Sequence, residues 1–235
     1  LPPFEPRYIP WLEPLTVAVG GSISIAGVAS ANSNLTLKLD GTTINTATNA
    51  TSITANPTIA TACSHQVFLE GNNGSVIVKD SFSFYIPPAN NVAALPSGAV
   101  EGINYNSATS VTLVLYAPGK NNVVVFGDFT NWSVTCANQM NKTPDGNYFW
   151  ITINGLTAGT EDAYQYLIDN SIKTADPYTQ KVLDPDNDQF ISATTYPNLK
   201  AYPTGLTTGI VSVLQTAEPA YNWQVNNFNR PDKKN

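Results

Sequence analysis

The chain has 235 residues, of which only 12% are charged, and its formal net charge is -6. This charged share is about half of that in an average soluble protein. Nucleic-acid binding needs grouped Lys and Arg, which the sequence lacks, and no apolar run reaches the roughly 18 residues of a membrane-spanning helix. The composition is instead typical of secreted β-sandwich proteins.

Short segments with alternating apolar and polar residues recur along the chain and predict an all-β fold. Turn sequences such as Asp40-Gly41 and Asn73-Gly74 separate them. In the first half the predicted strands are Leu15–Val19, Ser22–Ile25, Leu35–Leu39, Thr42–Ile44, Gln66–Leu69 and Ser75–Ile86. In the second half they are Val111–Ala117, Asn122–Phe126, Tyr148–Ile153, Tyr164–Ile168 and Ile172–Thr174. Each half has enough strands for a small sandwich.

Prolines divide the chain. Pro87 and Pro88 cannot donate to a sheet and favour an extended linker, so we predict one domain over residues 1–91 and a second over 92–195. Residues 196–235 are a Pro-rich extension with one strand candidate, Ile210–Leu214. Because so short a segment cannot bury a core alone, we expect it to pack on the second domain or on a part outside this sequence.

The two cysteines, Cys63 and Cys136, lie on either side of the predicted boundary. A disulfide would have to join two domains, so we expect both thiols to be free and buried. His65 lies two positions after Cys63, but two neighbours on one strand do not form a catalytic triad. The sequence therefore predicts no thiol active site, and three such ligands are too few for structural zinc.

Alternating carboxylates at Asp184, Asp186 and Asp188 resemble a calcium-binding loop. Gln189 replaces the glycine of such a loop, and Thr195 replaces its glutamate. Two interpretations stay open, a calcium site and an acidic turn whose Asp side chains cap their own backbone. No cofactor is predicted.

The second half carries a series of motifs that resembles a known family. The strand Val123–Phe126 runs into Gly-Asp-Phe-Thr-Asn-Trp132, and further motifs follow in the order Asp145-Gly146, Tyr164-Gln165-Tyr166 and Asp176-Pro-Tyr178. This order is similar to that of family-48 carbohydrate-binding modules, which are early-set, Ig-like domains that precede the catalytic barrel in alpha-amylase-like enzymes of glycoside hydrolase family 13. The resemblance covers about residues 98–195 and implies an early-set β-sandwich there. In the first half, Ala62–Leu69 and Val76–Phe84 look like the closing strands of a bacterial Ig-like module, so we expect two tandem Ig-like or early-set β-sandwiches.

The resemblance implies a non-catalytic N-terminal region of a bacterial enzyme that acts on α-glucans such as starch and glycogen. The expected partners are an α-glucan, bound weakly, and a catalytic barrel of the same polypeptide, to which residues 196–235 would lead. Such a region would position the barrel and would not be an enzyme itself. The alternative is a stand-alone carbohydrate-binding or adhesion protein with Ig-like domains. In either case we expect a secreted, periplasmic or cell-surface protein of a Gram-negative bacterium.

The resemblance also implies candidate carbohydrate-binding residues, Trp132, Asn131 and Gln165. Trp132 matches the first of two aromatic rings that glycan-binding members use. Gln165 stands where those members place a lysine, and Ile172 falls near their second tryptophan. The alternative for Trp132 is packing against a neighbouring loop or against the barrel.

Overall fold

The computed structural model describes residues 17–220 and 222, and the fold is all-β, as predicted. Within these residues, no helix combines the length and apolarity needed to cross a membrane. The start of the predicted strand Leu15–Val19 and the end of the C-terminal extension lie outside the described residues.

The first domain is a four-stranded antiparallel sheet. Its strands are β1 (Ile25–Leu39), β2 (Thr42–Ala55), β3 (Cys63–Asn72) and β4 (Ile77–Ile86), in the order β2-β1-β3-β4. The β1–β2 ribbon is longer than the sequence pattern predicted. The prediction was too short because Asn and Thr replace apolar residues in the middle of the ribbon and interrupt the alternating pattern. Register shifts between Val28 and Leu35 interrupt the ribbon, and apolar residues from both sides of the interruption share one core.

The second domain consists of two sheets that enclose a core. One sheet contains β5 (Gly102–Ser107), β6 (Ser110–Tyr116), β8 (Asn141–Lys142) and β9 (Tyr148–Asn154), in the order β5-β6-β9-β8. The other contains β7 (Val123–Gly127), β10 (Glu161–Ile168), β11 (Ile172–Thr174), β12 (Lys181–Leu183) and β13 (Val211–Gln215). Strand β7 pairs along one edge of β10, while β11 and β13 share the other edge.

Strand β13 corresponds to the strand candidate Ile210–Leu214. It pairs with both β10 and β12, and its residues Val211–Leu214 are buried. At least this part of the C-terminal extension is therefore integrated in the second sandwich.

Two sequence motifs meet in the core of the second domain. The hydroxyls of Tyr164 and Tyr166 both donate to Oδ2 of Asp176, at 2.8 Å and 2.9 Å. The same carboxylate accepts the backbone N–H of Tyr178 through Oδ1. Burial raises the pKa of both Tyr164 and Tyr166 well above its usual value, so the two phenols are neutral donors. The Tyr-Gln-Tyr and Asp-Pro-Tyr motifs are thus two halves of one buried hydrogen-bond network.

The expectation of free cysteines is wrong. Cys63 and Cys136 form a disulfide with a Cα–Cα distance of 5.2 Å, and the described residues contain no free cysteine. The expectation failed because it placed each thiol in the core of its own domain. Instead, Cys63 begins β3 at the end of the sheet that faces the second domain, and Cys136 lies in the short 3-10 turn Cys136–Asn138.

Hydrogen bonds surround the disulfide and join the same two domains. The hydroxyl of Ser64 donates to the carbonyl oxygen of Val134. The hydroxyl of Tyr85 donates to Oε1 of Gln139 at 3.0 Å, and Asn170 donates through Nδ2 to the carbonyl oxygen of Tyr85. The domains are therefore connected by a covalent bond and by a polar interface as well as by the linker.

His65 has a structural environment. Its ring is buried, with Nδ1 2.7 Å from Oδ2 of Asp40 and Nε2 3.0 Å from the carbonyl oxygen of Thr61, and it stacks on Phe84. Both ring nitrogens face acceptors within the first domain, and the neighbouring Cys63 is in the disulfide. Neither side chain is placed for nucleophilic catalysis.

Candidate functional site

The stretch from β7 to Trp132 is shaped by a close approach between two strands. A Cβ on Gly127 would lie 2.1 Å from the carbonyl oxygen of Ala163 and 2.7 Å from Cα of Tyr164, so a side chain cannot be accommodated there. After Gly127 the chain forms the 3-10 turn Asp128–Thr130 and then two residues with positive φ, Asn131 and Trp132. This turn brings the indole back over the sheet.

Trp132 is largely buried, with 8% of its surface exposed. Its ring packs edge-on against Phe126 with the centroids 5.8 Å apart, and its Nε1 donates to Oδ1 of Asp128 at 2.9 Å. Oδ2 of Asp128 accepts the backbone N–H of Ala163 and lies 3.0 Å from Nζ of Lys200. The indole is thus held in place by its neighbours and has little free face in this conformation.

Gln165 is even less accessible, with 1% of its surface exposed. Its Nε2 donates to the carbonyl oxygens of Thr208 and Ile210 at 2.9 Å and 2.7 Å, and its Oε1 accepts from the hydroxyl of Thr207. The amide therefore fastens the segment before β13 onto the sheet. In this arrangement its hydrogen-bonding groups serve the chain itself.

The structure brings together Trp132 and Asn131 but not Gln165. Trp132 and exposed Asn131 line a cavity of about 200 Å³ between the domains, and Gln165 does not line it. Tyr85 of the first domain and Leu206 before β13 form part of the wall, which is mostly apolar. Trp132 and Asn131 also line an adjoining open groove with Asp128, Lys200 and Leu206. Ile172, which the resemblance was expected to place near a second tryptophan, is 45% exposed.

The acidic segment forms a self-capped turn. Oδ1 of Asp184 accepts the backbone N–H of Asp186 at 2.9 Å, and Oδ2 of Asp188 accepts the backbone N–H of Asp184 at 2.9 Å. Hydrogen bonds from Asn187 and from the turn backbone lower the pKa of Asp184. These contacts are those of the capping interpretation. In the described part of the chain, no group of three or more His, Cys, Asp or Glu side chains has the arrangement of a metal site.

A second aromatic group, of which the sequence motifs include only Tyr178, lies at the other sheet of this domain. Tyr116 ends β6 and Tyr148 begins β9, and their rings are 5.1 Å apart at the centroids. The hydroxyl groups of Tyr148 and Tyr178 donate to the two carboxylate oxygens of Glu101, the first at 3.1 Å. Tyr116 and Tyr178 are 52% and 51% exposed. We call Glu101, Tyr116, Tyr148 and Tyr178 the tyrosine surface.

Residues 101–185 match the family model of carbohydrate-binding module 48, the isoamylase N-terminal domain. The matched span begins just before β5 and ends just after β12, and the module is non-catalytic. The larger part of the second sandwich is thus similar to a carbohydrate-binding module, as the motif order implied. No curated protein matches the chain.

Several solved structures have similar regions. The pullulanase of Anoxybacillus sp. LM18-11 is 15% identical, with 69% of this chain and 25% of that chain covered and a TM-score of 0.28. The Group B Streptococcus pullulanase SAP is 15% identical over 70% of this chain and 23% of that chain, with a TM-score of 0.30. Pullulanase type I of Bacillus subtilis str. 168, complexed with maltose, is 16% identical over 72% of this chain and 25% of that chain, with a TM-score of 0.29. The chain thus spans about a quarter of each enzyme.

Proposed function

We propose that this chain is the non-catalytic accessory region of a glycoside hydrolase that acts on α-glucans. The match of residues 101–185 to a carbohydrate-binding module carries the proposal. In this role the second domain binds an α-glucan weakly, and both domains together position a catalytic barrel of the same polypeptide. The links between the domains support a positioning role, because a covalent bond and a polar interface restrict their relative motion.

The proposal includes glucan contacts at Trp132, Asn131 and Gln165, but the three side chains differ in how accessible they are to a ligand. Asn131 is the exposed member, and Trp132 keeps 8% of its surface exposed where it lines the cavity and the groove, whereas Gln165 reaches a ligand only if the segment before β13 moves away. A site with so little accessible aromatic surface should bind no tighter than about millimolar, or about -4 kcal/mol. Affinity of this size becomes useful when tethering raises the local glucan concentration at a barrel.

We also propose that the protein works outside the cytoplasm, in the periplasm, at the cell surface or in the medium. The Cys63–Cys136 bridge supports this location, because disulfides persist in oxidising compartments and are rare in the cytosol. The low charged fraction is in keeping with it. Thiol counts on protein isolated from its native host test the proposal, since two free thiols would contradict it.

Two assays on the purified chain test the accessory role. In the first, the chain is incubated with starch, glycogen or pullulan, and we expect no release of reducing sugar. Turnover that a single Asp or Glu substitution abolishes would contradict the proposal. In the second, NMR titration with maltoheptaose should give weak, saturable shifts, and the β-linked cellohexaose serves as the matched control. Absence of binding to maltoheptaose would overturn the glucan-binding part.

The stand-alone alternative makes a different prediction about the encoding gene beyond residue 235. The accessory proposal expects a barrel with the catalytic acids of an α-glucan hydrolase, joined directly to this region. A stop codon, or a domain of another class, would favour the stand-alone carbohydrate-binding or adhesion protein.

A further inference from the structure

We propose that the tyrosine surface is a saccharide-binding site, separate from the region around Trp132. Its four residues come from four different segments of the chain, and three of them are aromatic. It lies at the β5-β6-β9-β8 sheet, whereas Trp132 packs on the sheet that contains β7 and β10. The choice of an α-glucan as the saccharide rests on the proposed function, whereas the site itself rests on the geometry of these four residues.

The rings are fixed before any ligand arrives. Glu101 accepts hydrogen bonds from the hydroxyls of both Tyr148 and Tyr178, and Tyr116 packs on Tyr148. Tyr178 lies directly over Gly102, where an added Cβ would be 2.4 Å from Cβ of the tyrosine. A set of rings with locked orientations loses little side-chain entropy on binding, which is the advantage of a preorganised site.

Half-exposed tyrosines give the surface its affinity for sugars. A tyrosine ring offers a large, rigid apolar face with a polar tip, which suits a pyranose that has an apolar C–H face and hydroxyl edges. Each oxygen of Glu101 accepts a single tyrosine hydroxyl in the structure, and a carboxylate oxygen has a second lone pair for a sugar hydroxyl. Aromatic stacking and hydroxyl acceptors thus occur side by side.

The charge of the surface favours a neutral ligand. Glu101 lies at its centre, where its hydrogen bond with Tyr148 is the main cause of the raised pKa of that tyrosine, and the charge of Asp145 adds to this rise. Phosphorylated or acidic ligands would be repelled by these carboxylates. A protein partner is a poor fit for a group of four residues, because stable protein interfaces involve about 20–30 residues a side. All four residues also lie within the span that matches a carbohydrate-binding module.

The test is an NMR titration of the whole chain with maltoheptaose, on the wild type and on Tyr116→Ala/Tyr178→Ala. We expect the double variant to bind at least tenfold more weakly, and the shifts in the wild type to map to the tyrosine surface. Phe190→Ala is the matched control, because Phe190 is 79% exposed and lies outside both candidate regions; it should bind like the wild type. Tyr148→Phe keeps the ring but removes the bond to Glu101, and an intermediate loss is expected.

The outcomes separate the inference from the proposed function. If the wild type binds maltoheptaose and the double variant binds equally well, the inference is wrong while the proposed function stands. If the tyrosine surface binds only cellohexaose, the inference stands and the α-glucan assignment fails. If the wild type binds neither saccharide, both fail. Salt distinguishes a cationic partner from a saccharide. Raising the salt concentration from about 0.01 M to about 1 M shortens the Debye length from about 30 Å to about 3 Å, so it would weaken the binding of a cationic partner. The affinity for a neutral saccharide should not change.

Discussion

The disulfide between the domains leads to a quantitative prediction about stability. Replacing both partners, as in Cys63→Ala/Cys136→Ala, removes a bridge between residues 73 positions apart. The chain-entropy model gives about 4.5 kcal/mol for closing a loop of this length in the unfolded chain. With an unfolding entropy of about 2.1 cal/mol/K per residue, a chain of 235 residues should lose about 9 °C in Tm. Alanine is the appropriate replacement because it leaves no unpaired polar group.

Differential scanning calorimetry with and without a reductant measures this effect. Reduced wild type should melt at the temperature of the double variant, and the reductant should leave the double variant unchanged, which controls for its other effects. Mass spectrometry after unfolding and alkylation should show no labelled thiol before reduction and two after it. Equal melting temperatures for oxidised and reduced wild type, or two labelled thiols without reduction, would refute the reasoning.

Three further predictions concern the buried polar groups of the second domain. Asp176→Ala leaves the hydroxyls of Tyr164 and Tyr166 without their acceptor. The free energy of unfolding, measured in urea, should therefore fall by about 3 kcal/mol. An unchanged midpoint of urea unfolding would contradict the network. Burial raises the pKa of both tyrosines in the folded state, so the stability that they contribute is complete below about pH 10. Above that pH the free energy of unfolding should fall by about 1.4 kcal/mol per pH unit for each ring. Urea unfolding from pH 8 upwards should show this decline, and the decline should be smaller in Tyr166→Phe. Gln165→Ala removes the three hydrogen bonds to the segment before β13. The backbone amides of Thr207 and its neighbours should therefore exchange hydrogen faster than in Gln189→Ala, an exposed control. Unchanged exchange would contradict the proposed role of Gln165 in holding this segment.

The sequence predicted the class of fold well because alternation depends only on local residue pattern. The strand in the extension, Ile210–Leu214, was found in this way, but its pairing partners β10 and β12 were not, because pairing is decided by long-range packing. The long β1–β2 ribbon was underestimated for the opposite reason. Its middle is rich in Asn and Thr, and backbone pairing rather than apolar periodicity maintains it there.

The cysteines show where reasoning within one domain fails. Spacing along the chain says nothing about the distance between two domains, so Cys63 and Cys136 could be paired only by knowing that the start of β3 faces the turn at Cys136. The tyrosine surface was missed for a similar reason. Glu101, Tyr116, Tyr148 and Tyr178 come from four segments, and only Tyr178 stands in one of the sequence motifs.

Gln165, a predicted carbohydrate-binding residue, has a packing role in this conformation. The motif Tyr164-Gln165-Tyr166 lies within β10, where alternation places the glutamine on the face opposite the two tyrosines. That face is covered by the segment before β13, whose carbonyl groups accept hydrogen bonds from the side-chain amide of the glutamine. A lysine at this position could not form the same set of bonds, because it has no acceptor for the hydroxyl of Thr207. A glutamine at this position therefore fits a sheet face that is closed by the protein itself, whereas two rings of the tyrosine surface on the other sheet are exposed.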